Sequence, residues 1–504
     1  MTATRTSDCS QLTGPGRLLR CLAVCLFSLV FAGPTVGPAW SQPSLEERVR
    51  QLEDLVRQQG ELLEKQQEHI DAQNRRIEHQ EEQIQMEAEA AHSKGAPIGA
   101  VVPVGETTAG PVLATGAPKV DDGKRVDVSL GYGGVQFKSR DGKFKFGVGG
   151  RLQADWAAYA EDVSPMGGGA EIRRARLKGF GTMWNVWDYK LELNFSTDAE
   201  AEITDAWIQY TGFKPARIIV GHQKVPFSLQ STTSSNWQVF QERALPDAFI
   251  DSEETGRRRL GLALAANGDL WTAHTGVYGE GIDDSGPINQ DWGVAGRFVV
   301  HPIAEKTRVL AAGGSVYYRD FNGGNDLRFR ARPESHIAAT RLVDTGDLIG
   351  EDNLLLYNAE ATGVYGPFHA QFEYTGTNVN RDGLSNPGFG GFYVQTGYFL
   401  TGESRNYDPK TASYKRPMPK GIVGDGGWGA WEIAARYSYL DLQDSGVLGG
   451  KEWDVTFGIN WWATPSVAFR FNYVYADANP NSTETLGGVD EQVNVFQGRA
   501  QIVF

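Results

Sequence analysis

Beyond Cys25 the chain has no cysteine at all: Cys9, Cys21 and Cys25 are its full complement. That excludes a disulfide scaffold, Cys-based zinc sites and thiol catalysis from the rest of the molecule. Past the N-terminus there is also no run of some 18 apolar residues, so no ordinary transmembrane helix is encoded. The patterns G-x-S-x-G, H-E-x-x-H and G-x-x-x-x-G-K are all missing. The expectation is a protein that is not an enzyme, with no cofactor, no metal site and no nucleic-acid partner. Mean hydropathy is low, −0.37, yet the chain carries 13 Trp, 18 Tyr and 24 Phe among its 504 residues. Apolar residues are therefore spread thinly instead of in blocks.

Composition divides the chain into four segments. Residues 1–41 read as an export signal. Arg17 and Arg20 precede the apolar stretch "CLAVCLFSLVFA", and Ala39 and Ser41 are the small residues before a cut after Ser41. Residues 42–92 read as a coiled coil. Val49, Val56, Leu63, Ile70, Ile77 and Ile84 recur every seventh position, with Gln59, Gln66, Gln73 and Gln80 on the companion seam. From Ser44 to His92 there are 13 Asp/Glu against 6 Lys/Arg, half of the formal net charge of −14. The acidity of the whole chain thus says little about residues 125–504. Residues 93–124 are a Gly/Pro/Ala-rich linker.

From Arg125 to Phe504 the period changes to two. "KFKFGVGGRLQADW" puts Phe144, Phe146, Val148, Leu152 and Trp156 on one face, and Lys145, Arg151, Gln153 and Asp155 on the other. "EWDVTFGINWW", "AFRFNYVY" and the terminal "FQGRAQIVF" repeat the pattern, with aromatics toward the ends of the apolar faces. Alternation over about ten residues matches a tilted strand crossing a bilayer, and lipid-exposed backbone must be fully paired, so such a sheet has to close. The fold class expected is an all-β transmembrane barrel preceded by an N-terminal α-helical coiled coil. Sixteen antiparallel strands would leave about 24 residues each, and eighteen about 21. A barrel this wide encloses water.

The polar faces are rich in cations: Arg151, Arg174, Arg176, Lys178, Arg297, Arg436, Arg470 and Arg499, tempered by Asp155, Glu192, Glu373, Glu432 and Asp454. In "LRFRARPE", Arg328, Arg330 and Arg332 alternate with Leu327, Phe329 and Ala331. As a barrel strand this would set three guanidiniums about 7 Å apart along one wall, a ladder for anions. The alternative function is a structural outer-membrane anchor whose coiled coil tethers the envelope, with only a non-selective pore.

Several stretches are similar to the phosphate-selective porin O/P family: "GRLQADW", "EIRRARLKGFG", "YKLELNFSTDAEAEITDAWIQY", "VGHQKVPFSLQSTTSSNWQVFQER", "RFRARPE", "GYFLTGESRNYDP", "WEIAARYSYLDL" and "GINWWATPSVAFRFNYV". The resemblance implies an outer-membrane barrel of 16 strands, a homotrimer, with a loop folded inward to narrow the pore and the coiled coil in the periplasm. It implies passage of small inorganic anions such as phosphate, contact with outer-membrane lipid, and recognition of Phe504 by the outer-membrane assembly machinery. Its phosphate cluster maps onto Arg151, Asp205, Ser234, Ser235 and Arg243. The family lysine three residues before the serine pair has no counterpart: Ser231 stands there, and Lys224 lies nearby at another spacing. General anion preference survives that loss, whereas tight phosphate selectivity is not implied.

Overall fold

The computed structural model describes residues 126–196, 201–282, 290–322, 327–479 and 489–504. The signal, coiled coil and linker expected over 1–124 lie outside these residues.

Sixteen strands form a closed antiparallel ring. Nine run in succession: β3 (Lys145–Glu161), β4 (Gly169–Met183), β5 (Trp187–Asn194), β6 (Glu202–Tyr210), β7 (Ala216–Lys224), β8 (Arg258–Asn267), β9 (Trp271–Tyr278), β10 (Trp292–Ala304) and β11 (Arg308–Asp320). After a two-residue ladder of β12 (Arg330–Ala331) with β13 (Val343–Asp344) come β14 (Glu351–Tyr365), β15 (Phe368–Arg381) and β16 (Gly388–Phe399). A second small ladder, β17 (Tyr407–Asp408) with β18 (Ser413–Tyr414), precedes β19 (Ala430–Asp444), β20 (Val447–Trp462), β21 (Val467–Asn479) and β22 (Glu491–Val503). The ring closes where β22 pairs with β3, from Val493 opposite Glu161 to Val503 opposite Arg151. The first ring strand thus covers the free edge of the terminal alternating strand. A hairpin of β1 (Val126–Gly131) and β2 (Gly134–Ser139) hangs from the start of β3 and lies outside the ring. Eighteen strands share the sheet, and sixteen make the wall.

The two faces sort as the period predicts. Trp156, Phe457, Phe471 and Phe496 are exposed on the outer face, whereas Arg470, Gln497 and Arg499 are buried toward the interior. Outer aromatics gather in bands. Trp431 stacks on Trp461 and Trp461 on Phe469 near one rim, and Tyr437, Trp453 and Tyr475 form a chain toward the other. At the seam, the Trp156 ring fills the space a Cβ on Gly498 would need, which accounts for a glycine in mid-strand.

Three connections fold inward. Residues 225–257, between β7 and β8, and 327–348, between β11 and β14, enter from the same rim; residues 400–429, between β16 and β19, enter from the opposite one. They bring apolar side chains with them. Val225, Phe227, Leu245, Phe249 and Ile250 of the first segment pack with Leu327, Phe329 and Ala331 of the second against Leu354, Leu356, Val379, Phe389, Leu440 and Leu442 of the wall. Here the reading of "LRFRARPE" is corrected. The segment is not a wall strand, and its apolar side meets an interior core, not lipid. The third segment seats Ala412 and Tyr414 with Leu229 of the first.

Candidate functional site

The inner wall and the 225–257 segment build a charged cluster around one helical turn, Leu229–Thr232. Arg151, on β3, donates Nη1 to Ser235 Oγ and to Asn236 Oδ1, both at 2.9 Å, and Nη2 to Glu192 Oε1 at 2.9 Å. Glu192 also accepts from Arg176 at 3.1 Å and pairs with Lys190 at 3.0 Å. Lys190 continues to Asp205 at 2.6 Å, which Arg258 Nε holds from the other side at 3.0 Å. A register shift between β5 and β6 falls at Glu192, so that Thr204 and Asp205, sequence neighbours, are both buried. A bulge is the device that re-aims a side chain in this way.

The turn is held at both ends. Glu373 accepts from the amides of Leu229 and Gln230, at 2.9 and 2.8 Å. At the carbonyl end Lys224 Nζ donates to Ser231 O at 2.6 Å, while Arg243 donates to Gln230 O at 3.2 Å and Thr233 O at 3.5 Å. Arg257 donates to Ser231 Oγ at 3.1 Å, grips Asp247 with both Nη atoms, and reaches Asp251 at 2.6 Å. Among the described residues, Arg151, Arg176, Lys190, Lys224, Arg243, Arg257 and Arg258 thus face Glu192, Asp205, Asp247, Asp251 and Glu373. Burial, then the neighbouring Arg257, pushes the Arg243 guanidinium down to about 10. The locus holds more positive charge than it neutralises.

A second knot lies alongside. Arg499, fully buried, donates Nε and Nη2 to Asp155, its register partner across the seam, at 2.7 and 2.6 Å, and Nη2 also to Glu242 at 2.7 Å. Arg173 meets Glu242 at 3.1 Å and Arg174 at 3.9 Å. Burial opposes ionisation of Glu242, yet Arg173, Arg174 and Arg499 hold its carboxyl well below the usual range.

The three "LRFRARPE" arginines keep a common face but stand on the inward segment. Arg328 pairs with Asp344 at 2.6 and 2.7 Å and with Asp347 at 3.4 Å. Arg330 is exposed, and Arg332 donates Nε to Ala338 O at 2.7 Å. Arg341 joins them: burial, then Arg332 and Arg330, push its guanidinium down to about 10. Arg332 also lies within electrostatic reach of Arg173. Arg332 thus shares a field with Arg330, Arg173 and Glu242.

Of the residues singled out from sequence, the structure brings Arg151 onto Ser235, places Ser234 beside it with its Oγ accepting from Asn236 N at 3.3 Å, and links Asp205 to Arg151 through Lys190 and Glu192. Arg243 sits across the turn. Arg328, Arg330 and Arg332 form a separate group. Many other inward arginines brace the interior: Arg297 pairs with Glu360 at 2.6 and 2.8 Å, and Arg436 grips Glu334 of the 327–348 segment. Arg405, Arg416 and Trp237 were not anticipated. From the opposite rim, Arg405 stacks 3.7 Å over Tyr414 and donates to Trp237 O, and Arg416 lies 4.9 Å over the Trp237 ring. Arg257 and Arg258 were also missed. Their signal was present, since "RRRL" interrupts the alternation with three consecutive arginines at a strand start.

Residues 146–504 match the family described as phosphate-selective porin O and P. The chain belongs to that family. Within this porin family, Porin O of Pseudomonas aeruginosa is 27% identical over 413 residues, covering 74% of this chain and 91% of that one. An uncharacterized protein of Caulobacter vibrioides is 32% identical over 388 residues, covering 74% and 76%. Among solved structures, OmpT of Vibrio cholerae aligns with a TM-score of 0.46 at 12% identity, covering 72% of this chain and 98% of that one. The outer membrane channel DcaP of Acinetobacter baumannii aligns at 0.45 and 12%, covering 73% and 99%. As a member of the porin O and P family the chain is an outer-membrane β-barrel and a channel.

Proposed function

We propose that this channel passes small anions, phosphate among them, through the cationic path described above, as a homotrimer whose N-terminal coiled coil stands in the periplasm. The supporting observation is the charge balance around the Leu229–Thr232 turn: seven Lys and Arg side chains against five carboxylates, drawn from the wall and from a segment folded into the lumen. Guanidinium and ammonium groups that are incompletely neutralised stabilise a passing oxyanion and repel cations. Arg330 and Arg332 of the expected ladder, with Arg341 beside them, would gather anions at one mouth and hand them to Arg173 and the constriction.

Planar-bilayer recordings under a KCl gradient test the reading. The reversal potential should show chloride preference, and added phosphate should compete with the chloride current. A reversal potential of the opposite sign would overturn anion selectivity while leaving the barrel intact.

A further inference from the structure

The 327–348 segment lies against β20 with two acids beneath it. At one end Glu334 accepts from Arg436 Nε of β19 at 3.1 Å and from the Thr456 hydroxyl of β20. At the other, Thr345 Cα stands 3.1 Å from where a Cβ on Gly449 would be. Between Gly449 and Thr456 the strand turns Glu452 and Asp454 inward, two residues apart and so on one face. Both are fully buried, and none of their four carboxyl oxygens has a hydrogen-bond partner among the described residues. Glu334 Oε1 is likewise unpartnered. The cover is apolar: Leu440 stands opposite Glu452, Ala476 and Ala478 flank the pair on β21, and Ala338 and Leu342 of the segment cluster with those alanines. The charged groups nearby are already engaged. Arg436 grips Glu334, Asp344 of β13 takes Arg328 at 2.6 and 2.7 Å, and Arg341 faces Arg330, Arg332 and Asp344. Glu491 of β22 accepts the amides of Asp162, Val163 and Ser164, and Lys451, on the other face of β20, meets Asp441 at 2.8 Å.

We propose that Glu452 and Asp454 each hold a proton while the 327–348 segment is seated, which makes the seating of that segment a proton-linked step. An ionised carboxylate buried without a donor or a counter-charge is strongly unfavourable, and two side by side also repel. A proton on each removes both penalties. It also supplies donors for the neighbouring carboxyl and for Glu334, which lies in the same field. Once the segment lifts, water reaches the pair and both groups ionise near the ordinary carboxylate value of about 4. Seating therefore takes up protons. It is strongest in acid, and it weakens about tenfold per pH unit for each proton as pH rises above that value, until the seated pair itself ionises. Glu452 and Asp454 are positioning residues: they act on permeating ions through the platform that carries Arg330, Arg332 and Arg341. The inference stands apart from the anion reading, because it concerns whether the segment is in place and not what passes it.

Limited trypsin digestion of the full-length channel in detergent micelles reads the seating directly. The segment carries cleavable arginines at 328, 330 and 341, and Arg330 lies in the small ladder with β13. Cutting there requires the chain to leave its seat, so the rate follows the lifted population. Glu452→Gln combined with Asp454→Asn keeps the shape of the protonated pair and has no proton to lose. Dividing the wild-type rate by that of the double variant at the same pH cancels the pH dependence of trypsin itself. From about pH 6 to about pH 8 this ratio should climb at least about tenfold, with a shallower climb for Asp454→Asn alone. A flat ratio overturns the inference. So does faster wild-type cutting on adding EDTA at fixed pH, which would mean that a bound cation and not protons neutralises the pair. Should the double variant not assemble, wild type is compared with Asp454→Asn, and a wild-type rise no steeper than that of the single variant overturns it. None of these outcomes bears on the reversal potential that tests anion preference.

Discussion

Glu242 shows how a single carboxylate can fix a pore segment. It sits on the inward loop and takes Arg499 at 2.7 Å, Arg173 at 3.1 Å and Arg174 at 3.9 Å from the wall. Its depressed pKa has a defined sign. The attraction is fully present above the ordinary glutamate value of 4.5 and is lost only as pH falls through the lower folded-state value. Single-channel conductance should therefore stay flat from neutrality down to about pH 4.5 and become noisy or larger only below it, as the loop loosens. In Glu242→Gln the loosened state should appear already at neutral pH. A titration of open-channel noise in both proteins checks this. The residue types that could do this work were legible in the sequence, because Arg174 and Arg499 fall on polar faces of alternating segments. Their common partner was not, because Glu242 lies in a connection whose path no local period specifies.

At the scale of elements, the 327–348 segment is the instructive case. Over residues 327–332 its alternation is as regular as that of a wall strand, and periodicity alone accordingly places that stretch in the wall. Leu327, Phe329 and Ala331 instead meet Phe249, Leu354 and Phe389 inside the barrel, with Phe249 and Phe329 edge to face at 5.2 Å. A period of two reports that one face is apolar and says nothing about what covers it. The consequence for function is that the arginines stand on an inward platform seated by the core and by the grip of Arg436 on Glu334. Replacing Arg330, Arg332 and Arg341 together by Gln should reduce chloride conductance strongly at about 0.1 M salt and little at about 1 M, where charges are screened within about 3 Å. Recording the triple variant at both salt concentrations tests whether these residues collect anions. The 400–429 segment carries the same lesson from the other rim, since Tyr414 N donates to Thr233 Oγ1 at 3.3 Å and so ties two inward connections together.

For the whole molecule, the outward side of the ring is what makes it a membrane protein. Phe457, Ile459 and Phe471 are exposed on neighbouring strands, in register and on one face. Ile459→Arg should cost about 2–4 kcal/mol if its position lies near the bilayer midplane, read as a reduced fraction of heat-resistant barrel on gels. The sequence by itself determined that the region after the linker is a run of half-apolar strands long enough to cross a bilayer. It also determined that their polar faces are cationic, because a period of two is a local property of neighbouring residues. Only the tertiary structure decided that sixteen of those strands close while the first two stay outside. It decided, too, that an apparent strand turns inward to a core, and that Lys224 and Arg257 converge on Ser231. Those outcomes depend on which distant surface each face meets, and contact between residues far apart in the chain leaves no mark on the spacing within either stretch.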